Sequence, residues 1–303
     1  MDVGLTGATG HLGGRVLAAL LDDPRVDRIR TVARGALPEH PKLVHTRADL
    51  CDPAVPAALA GADVVWHLGA QLWRSADGRQ IAVNIDGTLN VLAARPAHVV
   101  LASSAAVYGA HPDNPLPLTE EHAPRPNAEC PYAWHKLEAE RLCREAGPCA
   151  VLRLCAVLGP HADPAVARAT GGYRRAVPAI RGRREGIQFL DEDDAAAGLL
   201  AAGFDRAEGT WNLATEDWLD AAGIGRVTGG RVVRLSRRLA VGGSEVGFRL
   251  HLLPFGADRA ALLDGPLALD PSAARAALGW EATATSGQVL ARFLALPRQP
   301  AGR

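Results

Sequence analysis

The feature that most narrows the folding options of this chain lies at its start. Val3-Gly4-Leu5-Thr6 is a short apolar run that breaks into Gly7, Gly10 and Gly13 and resumes as Arg15-Val16-Leu17-Ala18-Ala19-Leu20-Leu21. Strand, glycine turn and helix follow in that order. Gly7 suits a tight turn with φ > 0, Gly10 lets backbone approach a ligand, and Gly13 lets the helix close on the strand. Such a turn offers unpaired N–H groups and the positive end of a helix dipole to a phosphate. Gly7, Thr9, Gly10, His11, Leu12 and Gly13 are therefore candidate dinucleotide contacts. The glycines stand three apart rather than as G-x-G-x-x-G, and a purely structural turn can use the same spacing.

Downstream, strand-like and helix-like runs alternate. Residues 27–34 end in Ala33-Arg34, 43–50 end in Asp49-Leu50, 62–70 run into Leu68-Gly69-Ala70, and 98–102 lead into Ser103-Ser104. Between them, 53–60 and 80–94 read as helices, the second with apolar faces from Ile81, Val83, Leu89, Val91 and Leu92. This alternation predicts an α/β fold, a Rossmann-type doubly wound parallel sheet covered on both faces. Ligands of such sheets bind at the carboxyl ends of strands, where the glycine turn, Arg34, Asp49, Gly69 and Ser104 fall. A carboxylate ending the second strand selects NAD, whereas small and basic residues there admit the 2′-phosphate of NADP. Ala33 and Arg34 favour NADP(H), with NAD(H) as the alternative.

Charge removes several partners from consideration. Lys+Arg and Asp+Glu balance at 33 each, so the general electrostatic case for nucleic acid or an acidic membrane surface is absent. The longest uncharged apolar stretch, 195–204, is far shorter than the roughly 20 residues of a spanning helix. A cytoplasmic protein with a small-molecule substrate is expected. Cys51, Cys130, Cys143, Cys149 and Cys155 are odd in number and lack C-x-x-C pairing, which reads as packing thiols rather than a zinc site or disulfide framework. The only lysines are Lys42 and Lys136, which raises the question of what arginine could not do at those positions.

Lys136 answers part of that question by its spacing. In 131–142, a helical stretch with proline near its start, Tyr132 and Lys136 stand four apart and share a face. An ammonium beside a phenol stabilises the phenolate and brings the tyrosine toward acid–base use near neutral pH. Ser104 could hydrogen-bond the same substrate oxygen. An ordinary surface pair would show the same spacing.

Taken together, Thr6-Gly7-x-x-Gly10-x-x-Gly13, Asp49-Leu50, His67-Leu68-Gly69-Ala70, Asn84-x-x-Gly87-Thr88, Ser103-Ser104-x-x-Val107-Tyr108-Gly109 and Tyr132-x-x-x-Lys136 resemble the extended short-chain dehydrogenase/reductases, the NAD(P)-dependent epimerase/dehydratase family. The likeness continues in order to Leu278-Gly279-Trp280. It implies that Gly7, Gly10 and Gly13 cradle the pyrophosphate, Asp49 and Leu50 border the adenine, and Leu68, Gly69 and Ala70 lie along the cofactor. It makes Tyr132 the proton donor or acceptor, Lys136 the group that lowers its pKa and binds the nicotinamide ribose, and Ser104 the group that polarises the substrate oxygen. Asn84 would shape the active-site end of a neighbouring helix or serve as a packing amide, and Tyr108 would face the substrate. A homodimer through the helices holding Asn84 and Tyr132 is implied as well.

Departures from the family's branches direct the choice of chemistry. Dehydratases of this type place an acidic pair where this chain has Ala105 and Ala106. Many nucleotide-sugar epimerases have an asparagine where it has Ala156, and Arg-Asp ahead of the segment ending in paired acids, where it has Gly186-Ile187-Gln188-Phe189. Arg181, Arg183 and Arg184 could compensate or form a solvated charge run. The leading expectation is thus an NADP-dependent ketoreductase that moves hydride between nicotinamide and a non-nucleotide carbonyl or alcohol, with Tyr132 as general acid/base. The alternatives are a nucleotide-sugar epimerase or reductase, and a non-catalytic NAD(P)-binding sensor. Residues 1–160, rejoined by 187–215, would form the dinucleotide-binding domain. Residues 161–186 and 216–303 would form a smaller, discontinuous C-terminal substrate-binding domain, with Trp218, Leu219, Val241, Phe248, Leu250, Leu252, Leu253 and Phe255 as its core or pocket lining. Asp193 and Asp194 are placed to cap the helix that follows.

Overall fold

The structure, a computed structural model, describes residues 1–74, 79–253 and 255–296. In chain order the first half contains β1 (Asp2–Thr6), α1 (His11–Asp22), β2 (Arg28–Ala33), β3 (Leu43–Arg47), α2 (Val55–Leu59), β4 (Val64–His67), α3 (Arg79–Ala93), β5 (His98–Ser104), α4 (Pro131–Ala146) and β6 (Cys149–Leu154). Then come β7 (Ala156–Leu158), α5 (Pro164–Gly172), β8 (Ala176–Ile180), β9 (Phe189–Asp191), α6 (Glu192–Phe204), β10 (Gly209–Leu213), α7 (Ala221–Thr228) and β11 (Arg231–Leu235). The chain closes with α8 (Arg237–Arg249), α9 (Ala257–Ala260), α10 (Ser272–Leu278) and α11 (Ser286–Ala295).

Seven of the strands form one parallel sheet in the order β10-β6-β5-β4-β1-β2-β3. Every residue of β4 and β6 is buried, His67 and Arg153 included, as inner strands of a sheet covered on both faces should be. α1 presses Val16, Leu17 and Leu20 onto this core, and α4 starts with a proline whose missing N–H costs a first turn nothing. Connections run outward in opposite directions from β1 and β4. The resulting switch point opens a crevice between the glycine turn after β1 and the 68–70 loop after β4. Among the described residues no helix is long and apolar enough to cross a membrane.

A second, smaller core gathers Leu158, Val177, Phe189, Ile224, Val289 and Leu290 around the β8–β11 and β7–β9 pairs. Its limits differ from the expected ones. Leu269, Ala274, Leu278 and Trp280 pack with the central sheet, because α10 lies on β10 and α6. Leu250 and Leu252 are 63% and 75% exposed, and Trp218 and Leu253 also face outward, so half of the eight apolar residues expected as core or lining are surface. α6 is capped by Asp191, whose carboxylate accepts from Asp193 N–H; Asp194 is buried and accepts instead from Thr283. Residues 297–303 of the expected second domain lie outside the described residues.

Candidate active site

The glycine turn has the sterics of a phosphate cradle. Gly7 adopts φ +74°, and a Cβ on Gly13 would lie 1.9 Å from the Gly7 carbonyl oxygen, so only glycine lets α1 approach β1 this closely. α1 opens at Gly10 with no side-chain cap, which leaves its first N–H groups to a ligand. Thr9 and Gly10 are exposed there, and His11 and Leu12 are half-buried. Across the crevice Thr6 Oγ1 accepts from Gly69 N–H, and Leu50 packs against Gly69. Ala70 is exposed beyond them. The turn, Leu50 and Leu68 to Ala70 therefore meet as the sequence implies, and this chain fits a dinucleotide at that crevice.

At the outer edge, Arg34 stands exposed at the end of β2, and Gly35 behind it packs on Thr9. Asp49 accepts from Cys51 N–H and from Arg79 at 2.8 Å. Burial would raise its carboxyl, but these hydrogen bonds and the Arg79 and Arg34 charges hold it below its ordinary value.

Ser104 ends β5, beside the crevice strand β4, and Tyr132 and Lys136 lie on the first turns of α4. Burial pushes the Tyr132 phenol up to about 12; the Arg259 charge and the neighbouring Ser104 hydroxyl oppose that rise. Lys136 is buried, and its Nζ donates to the Ala102 carbonyl at 2.7 Å, 5.9 Å from the Tyr132 ring centre. Burial brings the ammonium down to about 8. The expected depression of the phenol by Lys136 is thus not what the structure shows. Desolvation dominates, and the cation that opposes it belongs to Arg259, which sequence spacing gave no means of finding.

Two other expectations change. Tyr108 does not face the substrate: it is buried, donates to Asn212 Oδ1 at 3.0 Å and accepts from Arg153 Nη1 at 2.9 Å. Asn84 is a packing amide, its Oδ1 accepting from Gln71 N–H and its Nδ2 donating to Gln71 O, so it fixes the loop after β4. Sequence reading also missed His67, whose ring bridges Thr6 and Thr88 and which burial holds neutral at about 3. It missed Glu140 too, a buried carboxylate that takes hydrogen bonds from Ser103, Arg144 and both Nε and Nη2 of Arg153.

The residues weighed for substrate choice sort differently. Ala105 and Ala106 are buried. Gln188 spends its amide on Thr215 O, Leu269 O and Leu269 N–H. Arg183 is paired with Asp264, whereas Arg181 and Arg184 are exposed.

A profile of the NAD dependent epimerase/dehydratase family matches residues 3–211. Uncharacterized proteins of Mycobacterium tuberculosis and Mycobacterium bovis are 28% identical over 233 residues, 70% of this chain and 61% of theirs. The chain thus matches about three fifths of the length of these curated relatives. Among solved structures, MoeE5 in complex with UDP-glucuronic acid and NAD superposes with a TM-score of 0.74 at 22% identity, over 97% of this chain and 98% of that one. UDP-glucose 4-epimerase from Thermotoga maritima, with UDP-glucose, gives 0.72 at 19% identity over 97% of both chains.

Proposed function

The chain belongs to the NAD-dependent epimerase/dehydratase family, and from that premise we propose that it is an NAD(P)-dependent enzyme acting on the sugar of a nucleotide sugar, as an epimerase or reductase. The observation that carries this reading is the meeting of Ser104, Tyr132 and Lys136 two strands from β1 and its glycine cradle. The bound nicotinamide would supply the hydride exchange at a secondary carbinol carbon. Ser104 holds the carbinol oxygen, Tyr132 takes its proton or returns it, and Lys136, anchored on Ala102 O, presents its ammonium to the ribose and the phenol. Family membership and the nucleotide-sugar complexes of the similar folds support this substrate class over a simple ketone. They do so at the expense of the ketoreductase reading, and the acid–base set has no use in a mere sensor.

For the cofactor we propose NADP(H) ahead of NAD(H), because Arg34 is exposed at the ribose end while Arg79 engages the Asp49 carboxylate. The NAD bound in the similar structures supports the other choice, which a direct comparison decides. A homodimer is proposed through α3 and α4: the two pack together and leave Ile81, Leu89 and Trp134 about half exposed. One observation favours a non-nucleotide carbonyl compound as a second reading. Gln188 is locked in the core, and Ala156 offers no polar group to a diphosphate.

The test is turnover of UDP-glucose and UDP-glucuronate beside a panel of ketones, with NAD(H) and NADP(H) compared. Tyr132→Phe is expected to lose turnover while still binding cofactor. Full activity in that variant removes the mechanism, and turnover of ketones alone selects the second reading.

A further inference from the structure

Five buried side-chain nitrogens among the described residues have no hydrogen-bond partner, and two of them, Arg259 Nε and Trp73 Nε1, lie together beside Tyr132. The Arg259 guanidinium sits between two rings, 5.0 Å from the centre of Trp73 and 5.1 Å from that of Tyr132. Its Nη2 donates to Leu72 O at 2.7 Å, which aims the group from the second unit into the loop after β4. A buried N–H without an acceptor is costly, and native chains leave few of them. Here both side chains are donors only, so whatever satisfies them must bring oxygens.

Among the described residues, the neighbouring carboxylates do not fill that role. Asp258 Oδ2 is 3.8 Å from Arg259 Nε, beyond hydrogen-bond reach, and the other oxygen is 4.0 Å from Arg74 Nε. Glu245 is occupied by Arg74, Arg249 and Ala257 N–H. Beside the Tyr132 ring there remain the Arg259 Nε–H and the Trp73 Nε1–H, each without an acceptor.

We propose that Arg259 and Trp73 form the oxygen-binding corner of the substrate site and seat a carboxylate carried by the substrate next to its reacting carbon. A charge-assisted bond to Arg259 and a neutral one from Trp73 suit a carboxylate's paired oxygens better than a lone hydroxyl. The inference rests on the proposed function only in placing the reacting carbon at Tyr132. With that reading it assigns a uronic acid as the sugar; with a non-nucleotide substrate it assigns a hydroxy or keto acid.

The experiment reads the corner itself rather than turnover. In protein labelled with 15N at its six tryptophans, the Trp73 indole N–H resonance is identified by its loss in Trp73→Phe. Sodium glucuronate, glucose and inorganic phosphate are then titrated at matched ionic strength. Glucuronate is expected to move that resonance and glucose to leave it still, and Arg259→Gln should weaken the glucuronate response at least tenfold while Arg259→Lys retains part of it. The other five indole signals report whether each variant folds; if Arg259→Gln loses them, Arg259→Lys carries the comparison. No response to glucuronate, an equal response to glucose, a response to phosphate alone, or an unchanged response in a folded Arg259 variant overturns the proposal. Failure of the nucleotide-sugar reading would show in the turnover assay instead, with the glucuronate shift intact.

Discussion

Glu140 offers the sharpest test of what holds the acid–base face of α4 in place. It stands one and two helical turns beyond Lys136 and Tyr132 on the same face, fully buried, and Arg153 donates to it from Nε at 3.0 Å and from Nη2 at 2.7 Å. Ser103 Oγ and Arg144 Nη2 complete the shell at 2.5 and 2.8 Å. Burial by itself would raise this carboxyl; the Arg153 hydrogen bonds and charge, with Ser103 and Arg144, hold it below its ordinary value. Glu140→Gln keeps the shape and leaves the buried Arg153 guanidinium without its countercharge, which costs about 3–5 kcal/mol. An unfolding entropy of about 2.1 cal/mol/K per residue gives about 0.6 kcal/mol per degree for 303 residues. Tm should therefore fall by about 5–8 °C. Calorimetry at pH 7 measures it, with Glu138→Gln, which breaks an exposed pair with Arg141, as a control expected to shift Tm by under about 1 °C. Adding Arg153→Met to Glu140→Gln should restore part of the loss. Since the folded-state pKa is depressed, the contribution is full above the unfolded carboxyl value of 4.5 and is lost as pH falls through the lower folded value. The gap between wild type and variant should close on acidification. A Glu140→Gln Tm within a degree of wild type, or a double variant that loses the sum of both, would refute this account.

Lys136→Met should stabilise the cofactor-free protein while abolishing turnover. Burial lowers the ammonium from its ordinary 10.5 to about 8, and at about 1.4 kcal/mol per pKa unit the charged form costs about 3 kcal/mol at neutral pH. Because the unfolded chain holds that proton between pH 8 and 10.5 and the folded one does not, wild-type stability should rise through this window and the variant's should not; denaturant titrations at pH 7 and 10 decide it. Arg34→Ala should weaken NADPH binding about tenfold, the value of about 1.4 kcal/mol for a charged contact to phosphate, and leave NADH within about twofold. Equal losses for both cofactors would mean that Arg34 does not read the 2′-phosphate.

What could be read from the chain without coordinates was whatever local sterics or one turn of helix dictates. The glycine turn is legible because the positive φ of Gly7 and the approach of Gly13 to the Gly7 carbonyl are settled within a few residues. Tyr132 and Lys136 are legible because four residues place them on one face. Tyr108 was misread since its place after β5 says nothing about which way its ring turns; Arg153 and Asn212, from β6 and β10, draw it inward. The apolar residues 250–253 were misread as core because composition does not reveal whether another element covers them. Asn84 matched a family position, but only the fold shows that Gln71 consumes both ends of its amide.

The proton affinity of Tyr132 shows why the missing part mattered. From the sequence one cation belongs to the phenol, the lysine one turn along its helix. In the fold that lysine is directed to the Ala102 carbonyl, and burial biases both groups of the pair toward their neutral forms. The second cation arrives from α9 and meets the ring at 5.1 Å. The cation that opposes the phenol's rise thus comes from α9, while Lys136, on the phenol's own helix, is spent on the Ala102 carbonyl. On the proposed mechanism, the phenol's use as a base depends on Arg259 staying at the ring, where Leu72 O holds it. Tyr132 and Lys136 are local to α4, whereas the cation that acts on the phenol is supplied by α9, far along the chain.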